Sequence, residues 1–196
     1  MTLLIGRLYP SMAVFASVCD TKGRDELAID RLASFIKESG VARLVYKTDQ
    51  EPAINVVADE AVEQRLLLDM TEEALKRAGR SGTIFDPKIE QAVAENSAVG
   101  ESASNGKAER TVQIVEDLLR TLKSALESRI NSKIPVSHPI IRWLVEHCAT
   151  ILNRYSVNKE GQTPYFCFHG KRATDRVVEF GEKNILLCAT QITRKT

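Results

Sequence analysis

A long amphipathic helix constrains the fold of this chain more than any other sequence feature. Over Lys107–Ile130 the apolar side chains recur with the 3.6-residue period for about six turns. The apolar positions are Ala108, Val112, Val115, Leu119, Leu122, Leu126 and Ile130. At about 100° per residue, Glu109 falls on one flank of this stripe. We therefore expect Glu109 to border a core, which the 43% apolar content of the 196 residues can fill.

The first part of the chain has the pattern of an α/β layer fold. Thr2–Tyr9 and Met12–Cys19 are short β-rich runs that predict an antiparallel hairpin. A helical pattern over Asp25–Ser39 is followed by Gly40, a residue that commonly ends helices. Ala42–Tyr46 is a continuous apolar run, which is typical of a strand that is buried on both faces.

The middle of the chain holds a second helix and weaker strand signals. Asp59–Ala78 is rich in helix formers and is predicted to be helical. Thr83–Phe85 and Ile89–Val93 are candidates for a last strand, and Ala94–Gly106 is predicted to be a loop because it is small, polar and contains two glycines.

After the long helix, a further helix is predicted to start near Pro139, where proline is favourable. Trp143 in this helix is expected to pack in the core, and Ile185–Ala189 is a possible strand. The side chains expected to point inward are Ile140, Leu144, Cys148, Ile151 and Tyr155.

The amino-acid composition argues against some classes of function. The four cysteines form no C-x-x-C pair and the three histidines are scattered, so a zinc site is not expected. No apolar run approaches a membrane span and no signal-peptide pattern is present, which predicts a soluble protein of the nucleus or cytoplasm. With a net charge of only +1, nucleic-acid binding would rest on local basic patches.

Two carboxylates mark a candidate divalent-metal site. Asp49 follows the predicted strand Ala42–Tyr46, and Glu109 lies in the first turn of the long helix. Two acids on two rigid elements, joined through a flexible loop, are what a Mg²⁺ site needs, because Mg²⁺ takes hard oxygen ligands.

At these residues the chain resembles a known family. The segments are Thr48–Ile54, Gly100–Arg110, Leu152–Arg154 and Thr163–Tyr165. In this order and spacing they resemble the integrase core of retroviruses and LTR retrotransposons, and most closely the Pol-type open reading frames of retroelements. The likeness covers roughly Thr2–Arg172 and predicts an integrase-core-like domain over residues 1–172, with 173–196 as an extension or the start of a further domain.

The resemblance implies an α/β fold of the ribonuclease-H-like class with long C-terminal helices. It also implies DNA strand transfer with two Mg²⁺ (or Mn²⁺) ions held by three carboxylates. Asp49 matches the second of these acids and Glu109 the third. The partners implied are DNA and further copies of the chain on DNA, with no membrane. The residues expected to contact nucleic acid are Ser104, Asn105, Lys107, Arg110 and Gln113.

The chain departs from the family pattern in several ways. The first Asp and the central strand that carries it are not present before the hairpin, so the core is predicted to be N-terminally truncated. The segment of about 59–82 is expected to be an insertion, and Ala103 replaces the usual Gln. Asp20 is expected to lie away from the metal site. We expect either that the hairpin pairs with Ala42–Tyr46 or that the sheet is incomplete.

Three functions follow as alternatives. The first is polynucleotidyl transfer in DNA integration, impaired by the missing acid. The second is nucleic-acid binding by an inactive remnant of the same origin. The third is an unrelated small α/β domain with coincidental motifs.

Overall fold

The computed structural model describes residues 2–20, 24–48, 51–77, 91–95, 102–174 and 179–182, with the backbone alone at 67–77 and 102–105. These residues form a mixed α/β structure, which confirms the coarse fold class; the ribonuclease-H-like topology stays a prediction. The elements in chain order are β1 (Thr2–Leu8), β2 (Ala13–Cys19), α1 (Glu26–Ser39), β3 (Arg43–Tyr46), α2 (Pro52–Arg77), β4 (Gln91–Ala94), α3 (Ser102–Ile130), α4 (Ile140–Tyr155) and α5 (Pro164–His169).

The predicted hairpin is confirmed. β1 and β2 pair antiparallel in a register that runs from Thr2 opposite Cys19 to Leu8 opposite Ala13. β2 is buried along its whole length because α1 and α4 both contact it. The outer edge of β2 is also covered, since the Asn153 amide on α4 accepts a hydrogen bond from Val14 N at 2.7 Å and donates one to Val14 O at 2.9 Å.

The helix predicted over Asp25–Ser39 is also confirmed, and its ends have the expected chemistry. Asp25 caps the N-terminus of α1 by accepting a hydrogen bond from Ala28 N at 3.1 Å. The other carboxylate oxygen of Asp25 accepts from Asp20 N at 2.7 Å and so ties the helix to the end of β2. Gly40 ends the helix in the left-handed conformation, with φ at 64°.

β3 and β4 form a separate two-stranded parallel sheet, with Arg43 opposite Gln91. Within the described residues the hairpin does not pair with β3, so the first of the two expected outcomes is not found, and the incomplete sheet stays a prediction. β3 was expected to be buried on both faces, and this is wrong. Leu44 is buried against α1 and α2, but Val45 on the opposite face is 60% exposed because neither helix covers that face.

Two helices begin earlier than the sequence predicts. α2 starts at Pro52, a favourable first position, and runs unbroken through the start of the predicted insertion. α3 starts at Ser102, so 102–106 belong to a helix and not to the predicted loop. Of the two strand candidates before α3, β4 overlaps Ile89–Val93, while Thr83–Phe85 lies outside the described residues.

The buried stripe of α3 is shorter than predicted. Val115 and Leu126 are buried, but Ala108, Val112 and Ile130 are exposed. Near the start of the helix the buried residue is Thr111. The expectation that Glu109 borders the core is therefore wrong, because its side chain is exposed.

α4 buries one face and exposes another. Leu144 and Cys148 are fully buried, as predicted. Tyr155, expected to point inward, is 59% exposed, and Trp143, expected to pack in the core, is 64% exposed. Both lie away from the face that contacts β2 and α3, since the buried positions of this helix are Ile141, Leu144, Val145, Cys148 and Ala149.

The described core has two main parts on opposite faces of the hairpin. One part joins β2 with α3 and α4, and the other joins the hairpin with α1 and α2. No helix in the described part of the chain has the length and apolarity that crossing a bilayer requires. The possible strand at Ile185–Ala189 lies outside the described residues.

Candidate nucleic-acid interface

The N-terminal part of α3 lies across the end of β1. Arg7 on β1 donates a hydrogen bond from Nη1 to Thr111 Oγ1 at 3.3 Å. The Thr111 hydroxyl in turn donates to Lys107 O at 2.9 Å. Lys107 Nζ lies 5.4 Å from the centroid of the Tyr9 ring, within the range of a cation–π contact. These contacts fix which side of the helix faces solvent.

Three of the residues predicted to contact nucleic acid share that solvent-facing surface. Lys107, Arg110 and Gln113 follow each other at intervals of three residues, so they form one row along the helix. All three are exposed. Arg110 Nη1 donates to Gln113 Oε1 at 3.5 Å, and among the described residues neither Lys107 nor Arg110 forms an ion pair with a carboxylate. We call these three residues the basic row.

The cations farther along α3 are neutralised by carboxylates. Arg120 pairs with Glu116 and Asp117, each at 2.8 Å. Lys123 pairs with Glu127 on the next turn. Arg129 pairs with Glu179 at 2.6 Å. Each of these three cations is thus paired within the protein.

Glu127 connects the end of α3 to the segment that follows. One carboxylate oxygen accepts from Ile134 N at 2.9 Å and the other pairs with Lys133 at 2.9 Å. The hydrogen bonds from Lys123, Ile134 and Lys133 lower the pKa of Glu127 from 4.5 to about 2. Its side chain is 7% exposed, so the carboxylate is a buried anchor and not part of a binding surface.

Glu109 is the one predicted metal ligand that lies within the described residues. Its carboxylate is exposed on α3, beside the basic row, and among those residues it forms no ion pair. A single carboxylate does not supply the octahedral oxygen shell of Mg²⁺. No group of three potential ligands (His, Cys, Asp or Glu) comes together in the described ranges. These residues by themselves do not fit the predicted two-metal site.

Asp49 itself lies outside the described residues, but two residues shortly before it contact α2. Tyr46 at the end of β3 donates to Asp59 at 2.5 Å, and Thr48 donates to Asn55. Burial and the hydrogen bond to Asp59 raise the pKa of Tyr46 to about 12. Tyr46 is therefore a neutral donor and not a candidate base at neutral pH.

Other reactive side chains are held in structural roles. Asp20, at the end of β2, forms an ion pair with Arg142 on α4. This cation balances the charge of the carboxylate without a metal ion. Burial raises the pKa of the Cys148 thiol to about 12, so the thiol is protonated and unreactive. Burial also lowers the pKa of His147, which packs against Phe180.

Ser104 and Asn105 lie in the first turn of α3, where backbone N–H groups have no acceptor within the helix. The sequence interpretation missed Arg7 on β1 and Tyr9 just after it, which hold the basic row in place. A signal for Arg7 was present: it is the single charged residue in a strand that otherwise consists of Thr2, a glycine and apolar residues.

In comparisons with known proteins, no family model matches the chain, and no curated protein and no solved structure matches it. The function proposed below therefore rests on the surface chemistry of α3 and on the sequence resemblance.

Proposed function

We propose that this chain binds DNA through the basic row of α3, as an integrase-type core that has kept its nucleic-acid surface. The observation that supports this proposal is the charge state of Lys107 and Arg110. Both are exposed and neither is neutralised by a carboxylate in the described part of the chain, unlike Arg120 and Lys123 on the same helix. Unpaired cations release counterions when they contact phosphate, which favours binding.

The geometry around the basic row suits contact with the sugar–phosphate backbone of DNA. The contacts of Arg7 and Tyr9 hold this side of α3, so its cations need little reordering on binding. Gln113 ends the row with an amide that can donate to phosphate or sugar oxygens. The first-turn N–H groups at Ser104 and Asn105 add donors at the positive end of the helix dipole. Contacts of this kind carry little sequence information, so we expect weak sequence preference.

The test is a salt titration with a matched pair of variants. Lys107→Gln/Arg110→Gln and Arg24→Gln/Arg120→Gln each remove two exposed positive charges. In the second pair, both cations have carboxylate partners. Fluorescence anisotropy of a labelled duplex, in EDTA, gives the affinity at each salt concentration.

We expect the first variant to bind about tenfold more weakly, and the magnitude of its slope of log affinity against log salt to fall by about 2. The Arg24/Arg120 variant should keep the slope of the original chain. Equal slopes for the two variants, or a chain that does not bind duplex in low salt, would refute the proposal.

A second candidate function is Mg²⁺-dependent polynucleotidyl transfer, and the observation that favours it is the exposed carboxylate of Glu109 next to the basic row, which forms no ion pair with another described residue. This activity requires Asp49 as well. The assay is joining or nicking of retroelement-like DNA ends in Mg²⁺ or Mn²⁺. Under this candidate, Glu109→Gln abolishes product formation while DNA binding persists. If the unmodified chain yields no product but still binds DNA, this second candidate is wrong and the chain binds DNA without catalysis.

The resemblance also implies that several copies act together on DNA. Sedimentation of the chain with and without duplex measures this directly. A complex of two or more copies on one duplex would support the inference, and a single bound copy at saturating protein would contradict it.

A further inference from the structure

β1 lies at the edge of its sheet. All seven of its residues pair with β2 on one side, and within the described residues no strand pairs with its other side. The nearest strand along the chain, β3, belongs to the second sheet. The two outer edges of the hairpin differ, because Asn153 binds the backbone of Val14 on β2 while the described residues place no such cover on β1.

The side chains of β1 are those of an interior strand. Leu3 and Ile5 pack against the part of the core that includes α3 and α4. Leu4 and Leu8 point to the other face and pack against residues of α1 and α2. Strands that are apolar on both faces are typical of the middle of a sheet covered by two helical layers. Exposed edge strands often carry charges, bulges or prolines that prevent further pairing, and of these β1 has one charge, Arg7.

Burial agrees with this interpretation. Every residue of β2 is buried, whereas Leu3–Leu8 are all half-buried. The two helical layers therefore reach over β1 but do not enclose it. One more strand beside β1 would complete the burial of apolar side chains on both faces, which is favourable in proportion to the area removed from water.

Arg7 supplies a second, independent observation. Its Nη1 binds Thr111, but its Nε is buried and has no hydrogen-bond partner among the described residues. A buried guanidinium nitrogen without an acceptor is costly, and native structures rarely leave one so. A carboxylate is the acceptor that best matches guanidinium, because it can take two parallel hydrogen bonds.

We propose that the open edge of β1 binds one extended segment of another protein by strand addition. The segment would carry apolar side chains on both faces and one Asp or Glu on the α3 face, where it reaches Arg7. Main-chain hydrogen bonds supply affinity in this mode of recognition, and the side chains supply specificity. The proposal does not depend on the DNA-binding function.

Charge decides between this partner and a second copy of the chain. If two β1 strands paired with each other, each would present only Thr, Leu, Ile, Gly and Arg side chains. No carboxylate would then meet Arg7, and two guanidinium groups would be brought onto the same short ribbon. A foreign strand with an acidic residue satisfies both the apolar faces and Arg7.

The probe is a fluorescein-labelled, capped peptide of sequence Lys-Thr-Val-Ile-Val-Asp-Val-Thr-Lys. Its matched control has Asn in place of Asp. Anisotropy measures the affinity of each peptide for the full chain, and amide hydrogen exchange reports which strand is covered. Within Leu3–Leu8, we expect the Asp peptide to slow exchange of the amides that point away from β2, and to leave β2 unchanged. It should bind about tenfold more tightly than the Asn peptide, because it makes a charge-assisted hydrogen bond.

Arg7→Met tests the charge assignment and should make the two peptides bind equally. If Arg7→Met does not fold, the comparison of the Asp and Asn peptides on the unmodified chain still decides. Three outcomes would overturn the proposal. The first is that the β1 amides pointing away from β2 exchange equally fast with and without peptide, and the second is that these same amides are already slow in the free chain. The third is protection of these amides that rises with the concentration of the chain alone. The last would identify a second copy as the occupant.

Discussion

The two parts of α3 use the same residue types for different purposes. In the N-terminal part, Lys107 and Arg110 are exposed and have no carboxylate partner in the described part of the chain. In the C-terminal part, Arg120, Lys123 and Arg129 all pair with acids. Exposed ion pairs contribute little to stability but remove a cation from the surface that a polyanion meets. The helix therefore changes from a surface available to phosphate into a surface closed by internal pairing.

Burial divides the helix at a similar point. The C-terminal part places Leu126 in the core and anchors Glu127 to Ile134 and Lys133. The N-terminal part contributes one buried side chain near its start, Thr111, which binds Arg7. Stability should thus depend on the C-terminal part, and the proposed DNA binding on the N-terminal part.

The largest effect is expected from Leu126→Ala, since Leu126 is 4% exposed and the deletion leaves a cavity between α3 and its neighbours. We expect it to lower the free energy of unfolding by about 2–5 kcal/mol. Val112→Ala, on the exposed side of the N-terminal part, should change it by about 0.5 kcal/mol or less. Urea unfolding measures both. Similar losses for the two variants would show that the helix does not divide in this way.

The next effect concerns acid stability and Glu127. In the folded chain its pKa is about 2, against an ordinary value of 4.5. Because the folded-state pKa is lowered, the stabilising contribution is fully present above pH 4.5 and is lost as the pH falls from 4.5 towards 2.

Glu127→Gln should therefore unfold more easily at pH 7 and lose less stability than the original chain across that acid range. The matched control is Glu116→Gln, which removes a half-exposed acid on the same helix. Thermal unfolding at a series of pH values gives the comparison. An unchanged acid slope in Glu127→Gln would mean that Glu127 is not the anchor described above.

Elements whose signals are local could be predicted from the sequence. The hairpin, α1 with Asp25 and Gly40, and α4 near Pro139 follow from strand propensity, caps and helix stops. The start of α3 could not be predicted in this way, because Ser, Asn and Gly at 102–106 favour loops. The helix nevertheless includes residues 102–106. A side chain at Gly106 would meet no atom within 4 Å, so packing does not require glycine at this position.

The candidate site shows the same limit. The exposure of Lys107, Arg110 and Gln113 agrees with their prediction as nucleic-acid contacts, which itself remains a prediction. The outward position of Glu109 was missed, since periodicity alone placed it beside the core. What sets the rotation of α3 here is the bond between Arg7 and Thr111, which are 104 residues apart. A contact at that separation leaves no local pattern. Asp49 and the metal site remain predictions.

The smallest expected effect tests whether pairing or position closes the C-terminal part to DNA. Glu116→Gln/Asp117→Asn removes both partners of Arg120 and leaves its guanidinium in place. If pairing is decisive, the freed cation should raise duplex affinity about two- to fivefold and increase the magnitude of the salt slope by about 0.9. Glu26→Gln on α1 combined with Glu63→Gln on α2 makes the same change in net charge without removing the partner of a cation in the described ion pairs, and should leave the slope unchanged. The opposite outcome is a salt slope of the α3 variant that is no steeper than that of this control. Arg120 would then lie outside the DNA contact. The binding surface would end at Gln113 because of the direction of the helix, and not because of its ion pairs.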